Sequence, residues 1–294
     1  MERSNYPATY RAMSEASANS QRTHFRLLKL QVAILFSIVM ISAVNWQLFP
    51  AFRTVSIVAA SFLIVLTFVQ LFAQIQRYDR RWFVSRAVAE SVKVQMWRFM
   101  MKVSPYQDSA DTSTVIEHFV ADVQQMLKEQ QNARLVAGST PVQGTEISQF
   151  MLDQRNKSVG ERRDLYVMGR IQDQKDWYSK KAVSNSKSYS KWFAATFVLQ
   201  GGSGVMALLF TLFPGFPFSP AGIVATLATS GISWMNAKSY RELSQSYGLI
   251  AHDLAGYESV AREADSQENL EKLVSNVEGR ISGEHTYWKA RRLF

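Results

Sequence analysis

The histidines His24, His118, His252 and His285 are the first place to look for acid–base or metal chemistry, and no two of them stand at a metal-ligand spacing. Cysteine is absent, which removes thiol catalysis, disulfides and cysteine-based zinc sites. No glycine-rich loop follows a strand: Gly201, Gly202 and Gly204 fall inside an apolar run and read as helix-packing residues. The carboxylates fall on charged helix faces, where solvation is the ordinary role. The chain therefore reads as no enzyme, with no metal and no cofactor.

Two other constellations could do physical work. Gly222, Thr226, Thr229, Ser233 and Asn236 recur at steps of four and three, and Gln200, Gly204, Ala207 and Thr211 do the same. A small, hydroxylated stripe on an apolar helix lets helices approach and hydrogen-bond, or lines water in a pore. The second constellation is basic: Arg162, Arg163, Arg170, Lys175, Lys180 and Lys181, interleaved with Trp177 and Tyr178. Cations beside aromatic faces suit phosphates and stacked bases, and they also suit attraction to anionic lipid.

The elements that position these residues begin with apolar runs. Between Gln31 and Gln76 the one charge is Arg53, which separates runs 30–49 and 55–75. Runs 192–213 and 221–237 flank a turn with Pro214, Gly215, Pro217 and Pro220. A helix of about 20 residues spans roughly 30 Å of hydrocarbon, so the expectation is four transmembrane helices in two hairpins, the last one short. Of 33 lysines and arginines, 32 lie outside the two turns. By the positive-inside rule both turns face outward and both termini are cytoplasmic.

The remainder reads as helices. Tyr78, Trp82, Ser85, Ala89, Val92, Met96, Phe99 and Val103 share one face of a helix over 77–104, closed by Pro105. A second helix, 113–130, carries a capping box at Thr114 and Glu117 and a stripe of Ile116, Phe119, Val120, Val123 and Leu127. Another runs from about Asp164 to Ala182. Tyr240, Leu243, Tyr247, Ile250, Leu254, Tyr257 and Ala261 have coiled-coil spacing, which fits packing within the chain or a seam between subunits. Asp265 and Glu268 are expected to cap a last helix bearing Leu270, Leu273, Val277, Ile281 and Trp288. The domain plan is 1–29 cytoplasmic, 30–75 hairpin, 76–130 cytoplasmic helices, 131–145 linker, 146–191 cytoplasmic helices, 192–237 hairpin and 238–294 cytoplasmic helices. One architecture, a polar helix, two spans and a cytoplasmic helix, occurs at 10–104 and again at 164–264. Charge alternates too: +4 over 76–110, −4 over 111–154 and +6 over 155–191.

Three segments resemble the SLATT family of two-transmembrane effectors associated with nucleotide-signalling systems. WFVSRAVAESVKVQMWRFMMKVSPY (82–106) offers Trp82, Arg86, Glu90, Trp97, Pro105 and Tyr106; ERRDLYVMGRIQDQKDWYSKKA (161–182) offers Tyr166, Arg170, Gln174, Trp177 and Tyr178; VEGRISGEHTYWKARR offers Glu278, Glu284, His285 and Trp288. The chain resembles two such units in tandem. The resemblance implies a membrane-perturbing effector of bacterial antiphage defence in the inner (plasma) membrane. It implies a homo-oligomeric ion channel controlled by a nucleotide or single-stranded oligonucleotide, with a nucleotidyltransferase encoded nearby. The same motif residues fit a purely structural role in knitting helices together. A membrane-anchored scaffold whose cytoplasmic helices dock a partner protein is the alternative.

Overall fold

The computed structural model describes residues 2–43, 52–107, 111–129, 142–213 and 220–293, with the side chains of 52–53 and 284–293 left aside. All described elements are helical: α1 (Ala8–Ser42), α2 (Phe52–Gln76), α3 (Tyr78–Met101), α4 (Thr112–Glu129), α5 (Gln149–Arg155), α6 (Val159–Tyr166), a π-helical segment (Val167–Gln172), α7 (Asp173–Leu212), α8 (Ala221–Lys238), α9 (Tyr240–Val260) and α10 (Gln267–Leu293). The chain divides into two compact units. The first holds Met1–Arg22, Tyr78–Lys181 and Ser246–Phe294; the second holds Thr23–Arg77 and Ala182–Gln245. The turn residues Pro214, Gly215 and Pro217, and most of the 131–145 linker, lie outside the described residues.

The first unit is built around α3, which packs on α4, α5, α6 and α10. Val92, Met96, Trp97, Phe99, Met100 and Met101 of α3 are fully buried, as are Leu270, Val274, Val277 and Ile281 of α10. The two helices thus bury facing apolar stripes. The amino end of α1 follows Pro7, so it has no side-chain cap of its own. Glu146 supplies one: its carboxylate accepts from the Thr9 amide at 3.2 Å and the Thr9 hydroxyl at 2.7 Å, a favourable place for negative charge at the positive end of a helix.

Two expected caps are displaced. Asp111 begins α4, accepting from the Ser113 amide at 2.9 Å, so the helix starts ahead of Thr114 and the buried face centres on Val115, Phe119 and Val123. Ser266 caps α10 through the Asn269 amide, while Asp265 pairs with Arg163 and Glu268 with Lys272. A capping box does occur, at Ser158 and Glu161 on α6. The heptad run on α9 buries Tyr247, Ile250 and Leu254 within the chain.

In the second unit, Ile34 and Ile38 of α1 cluster with Leu66 of α2, with Phe62 and Val69 alongside. Helices α7 and α8 meet where Thr196, 5% exposed, lies against Gly231. Large apolar side chains elsewhere face outward: Phe68 is 67% exposed, Ile75 69% and Phe197 71%. That pattern suits a hydrocarbon solvent. Three helical stretches are long and apolar enough to cross a membrane: Ala8–Ser42, Thr54–Met101 (α2 with α3) and Val159–Leu212 (α6 through α7). The 18-residue α8 is not among them, because its stripe of small and hydroxylated residues lowers its hydropathy.

Both halves leave their second apolar helix in one way. Arg77 (φ 44°) separates α2 from α3, and Ser239 (φ 49°) separates α8 from α9. A left-handed residue ends a helix while its amide still bonds back to it, and non-glycine residues bear a cost of about 1–2 kcal/mol for that conformation.

A Cβ built on Gly231 would overlap the Thr196 methyl, whose side chain is held by hydroxyl bonds to the Trp192 and Phe193 carbonyls. Gly231→Ala is therefore expected to lower the unfolding midpoint in detergent, by roughly 1–3 kcal/mol of overpacking. Adding Thr196→Ala removes the methyl and should restore most of the loss; a strictly additive double variant would contradict this contact.

Candidate functional site: a cavity shared by both halves

Three arginines of the 155–170 segment turn inward. Arg155 donates to the carbonyls of Phe99 at 2.7 Å and Tyr106 at 2.8 Å. Arg162 donates to the Met101 carbonyl at 2.6 Å and the Gln267 side chain at 2.8 Å. The Phe99 and Met101 carbonyls belong to the last turn of α3 and lack intrahelical partners, so both cations cap that helix and complement its dipole, while the Tyr106 carbonyl lies in the turn that follows. Arg170 forms a fork on Glu278, Nε to Oε1 at 2.9 Å and Nη2 to Oε2 at 2.6 Å, both side chains fully buried. The Tyr166 hydroxyl donates to the same Oε1 at 3.0 Å, and Trp97 sits edge-on to the Tyr166 ring. Burial pulls the Arg170 guanidinium down, the facing Glu278 carboxylate pulls it up, and the net is a rise. Burial, with the Glu278 charge, pushes the Tyr166 phenol well up.

Beside this core lies a half-open cavity of about 400 Å³ within the first unit. Helix α1 supplies Ser14, Ser17 and Gln21. Helix α3 supplies Trp82, Arg86, Glu90 and Lys93, which share one face at steps of four and three. Helix α7 supplies Asp173, Gln174, Trp177 and Tyr178. Gln174 donates to Asp173 at 3.0 Å. Trp177 is 37% exposed and meets Tyr178 and Tyr247. Lys93 makes no hydrogen bond or ion pair among the described residues. It lies well beyond the apolar run of α2, and burial, with the nearby Arg170 charge, lowers its pKa against the opposing pull of Glu90, Glu278 and Asp173. Sequence reasoning passed over Lys93, since one lysine among apolar neighbours carries no pattern.

The other expected residues are dispersed. Arg163 pairs with Asp164 and Asp265, and Lys175 pairs with Glu258 at 2.5 Å. Lys180 and Lys181 are exposed, the latter over the Trp177 ring at 5.8 Å. Glu284, His285 and Trp288 fall where side chains are left aside. In the second unit Ile223, Ala228 and Gly231 of α8 are buried, whereas Gly222, Thr229, Ser233 and Asn236 are exposed and Thr226 is half-buried. At 100° per residue the stripe lies opposite the packed face. Gln200, Gly204 and Thr211 of α7 are exposed as well. Thr211, Thr226 and Thr229 bond to carbonyls of their own helices at 2.9–3.0 Å. The Gln200 and Asn236 side chains make no hydrogen bond among the described residues. Among those residues no cluster of three or more acidic or histidine side chains could hold a metal.

Long apolar helices joined to a helical bundle define an all-helical, membrane-associated protein. Residues 7–163 match the family described as SMODS and SLOG-associating 2TM effector domain 3, and residues 166–288 match domain 1 of that series. The chain belongs to this family of two-transmembrane effectors and carries two such domains in tandem. Both are effector domains rather than known catalytic ones, and they imply a membrane effector role in antiphage systems. No curated protein and no solved structure matches the chain.

Breaking the buried pair with Arg170→Met is expected to cost about 3–5 kcal/mol, because Glu278 is left charged in an apolar setting. The double variant Arg170→Met with Glu278→Leu should recover most of that in thermal unfolding. Lys93→Met should act in the opposite sense and raise the midpoint at pH 7. A lysine whose folded pKa lies below its unfolded one is penalised fully below the folded pKa, and the penalty fades as pH rises toward about 10.4. The gain from Lys93→Met should therefore shrink between pH 7 and pH 10, measured as the difference in midpoint from the parent chain.

Proposed function

We propose that the chain is an oligomeric membrane pore, an ion-channel effector of a bacterial antiphage system, gated from the cytoplasm by a nucleotide or oligonucleotide that a partner nucleotidyltransferase makes. The observation that carries this reading is the polar stripe of α8, turned away from the packing of its own chain. Copies assembled around that stripe would line a wet path with Thr226, Thr229, Ser233 and Asn236, with Gln200, Gly204, Thr211 and Gly222 alongside. In this reading α8 is the fourth span, shorter than its fellows, and the spans form two hairpins in the inner membrane with both termini cytoplasmic. A cluster in the second unit supports the orientation: Phe25 and Trp234 meet edge-on, with Lys29 and Lys238 over the Trp234 ring at 5.7 and 5.1 Å. Tryptophan and lysine gather at the cytoplasmic border of a bilayer.

The scaffold alternative drew on the heptad run of α9 and on the absence of a catalytic site; the burial of Tyr247, Ile250 and Leu254 inside the chain leaves the heptads less surface for a partner. The signal-binding end of the reading rests on the polar, aromatic cavity of the first unit, where motif residues of both halves converge.

Liposomes containing the purified chain are expected to pass ions, and a cytoplasmic-side nucleotide should change the flux. Thr229→Leu and Ser233→Leu should each cut the flux by about ten-fold, as a bulky apolar residue dewets a constriction, with subunit number unchanged. Bilayers that stay tight with and without nucleotides would sink the pore. Unchanged flux with altered assembly would make the stripe a packing surface.

A further inference from the structure

The cavity of the first unit has four features that select a ligand by chemistry: its volume, Lys93, an acidic wall and the Trp177 ring. Its volume, about 400 Å³, lies in the lower part of the roughly 300–1,000 Å³ range of small-molecule sites. It can enclose a single nucleotide and no more than one unit of a longer strand. Its lining holds one cation, Lys93, with no hydrogen bond or ion pair among the described residues. An ammonium half-withdrawn from water with no hydrogen bond among the described residues is costly, and an arriving anion relieves that cost with charge-assisted hydrogen bonds.

The rest of the lining limits how much negative charge can enter. Arg86 and Lys93 are balanced by Glu90 and Asp173. One phosphate can sit against Lys93, whereas a second would approach the carboxylates and be repelled. Carboxylates accept well from hydroxyl groups, so an acidic wall suits a ribose diol. The partly exposed ring of Trp177 offers a planar face for a base, and stacking of that kind tolerates any base.

We propose that this cavity binds one nucleoside monophosphate unit, its phosphate on Lys93, its ribose hydroxyls on Asp173 and its base stacked on Trp177. The choice of a nucleotide rests on the gating reading above; the place and the single phosphate come from the cavity. The walls come from both domains, since Lys93 lies in the segment 7–163 and Asp173 and Trp177 in 166–288. The site therefore needs the tandem.

The test is calorimetric titration of the full chain in nanodiscs with the four ribonucleoside 5′-monophosphates, each compared with its nucleoside and with inorganic phosphate. At least one monophosphate should bind, about ten-fold or more tighter than either fragment alone. Lys93→Met and Trp177→Leu should each weaken it by about ten-fold, and Lys128→Met, on the exposed face of α4, should not. Should Lys93→Met fail to fold, Trp177→Leu carries the test, because that ring is already 37% exposed. The site is overturned if none of the four binds, if phosphate alone binds as tightly, or if both cavity variants bind like the parent. Ion flux separates the two claims. Binding that obeys the cavity variants while flux ignores nucleotides keeps the site and removes the gating. Flux that responds to a nucleotide equally in parent and variants keeps the gating and removes the site.

Discussion

The first unit depends on how buried positive charge is satisfied around the carboxyl end of α3. That helix carries the densest apolar face of the unit, and its last carbonyls point into a region where water cannot serve them. Arg155 and Arg162 serve them instead, from α5 and α6. About two turns further on, Arg170 is neutralised by Glu278 on α10. A lone guanidinium would not survive such burial, because the cost of removing it from water exceeds any packing gain. Each arginine is tolerable only while its particular acceptor is in place, so these bonds fix the positions of α5, α6 and α10 against α3 more sharply than apolar contact does. The fork of Arg170 joins two segments of the second domain, and Arg162 joins the first domain's last helix to α3 and to Gln267.

This arrangement decides what charge is left for a ligand. The 155–191 segment carries +6, which reads as a basic face. Most of its strongest donors are spent on protein acceptors: Arg155, Arg162 and Arg170 inside, Arg163 and Lys175 at carboxylates near the surface. The cation that reaches the cavity without a hydrogen bond or ion pair among the described residues is Lys93 of α3, outside the 155–191 segment. Formal charge along a sequence is thus a poor guide to electrostatic potential in a folded bundle, since a salt bridge cancels at short range what the count retains.

Much of the architecture was legible. The three longest apolar helices and the α3 face follow from composition and period, and the family motifs at Trp82, Tyr166 and Glu278 announced the tandem. What escaped depends on contacts between distant residues. Thr114 with Glu117 matched a cap pattern, but Asp111 is better placed and starts the helix sooner. Glu146 caps α1 from 137 positions away, beyond any local signal. The heptads of α9 fixed an apolar face and left its partner open; the partner is the same chain. The left-handed joints at Arg77 and Ser239 occur at non-glycine residues, so no composition cue marks them. The basic cluster follows proximity in sequence, whereas Lys93 and Trp177 line one cavity from two helices.

The stripe of α8 poses a constraint of its own. Thr226 and Thr229 bond back to carbonyls of their own helix, so their hydroxyls are satisfied in lipid, in water or against protein alike. They discriminate nothing. Asn236 and Gln200 differ, because a carboxamide has two donors and an acceptor that its own helix backbone does not satisfy. An unsatisfied amide in hydrocarbon costs several kcal/mol, and these two make no hydrogen bond among the described residues. In the proposed spans Gln200 lies eight residues inside the run 192–213, where acyl chains are a costly surrounding, whereas Asn236, between Trp234 and Lys238, lies at the border where water reaches it. Water or the polar surface of another copy would relieve that cost for Gln200, which is what the pore proposed above would supply.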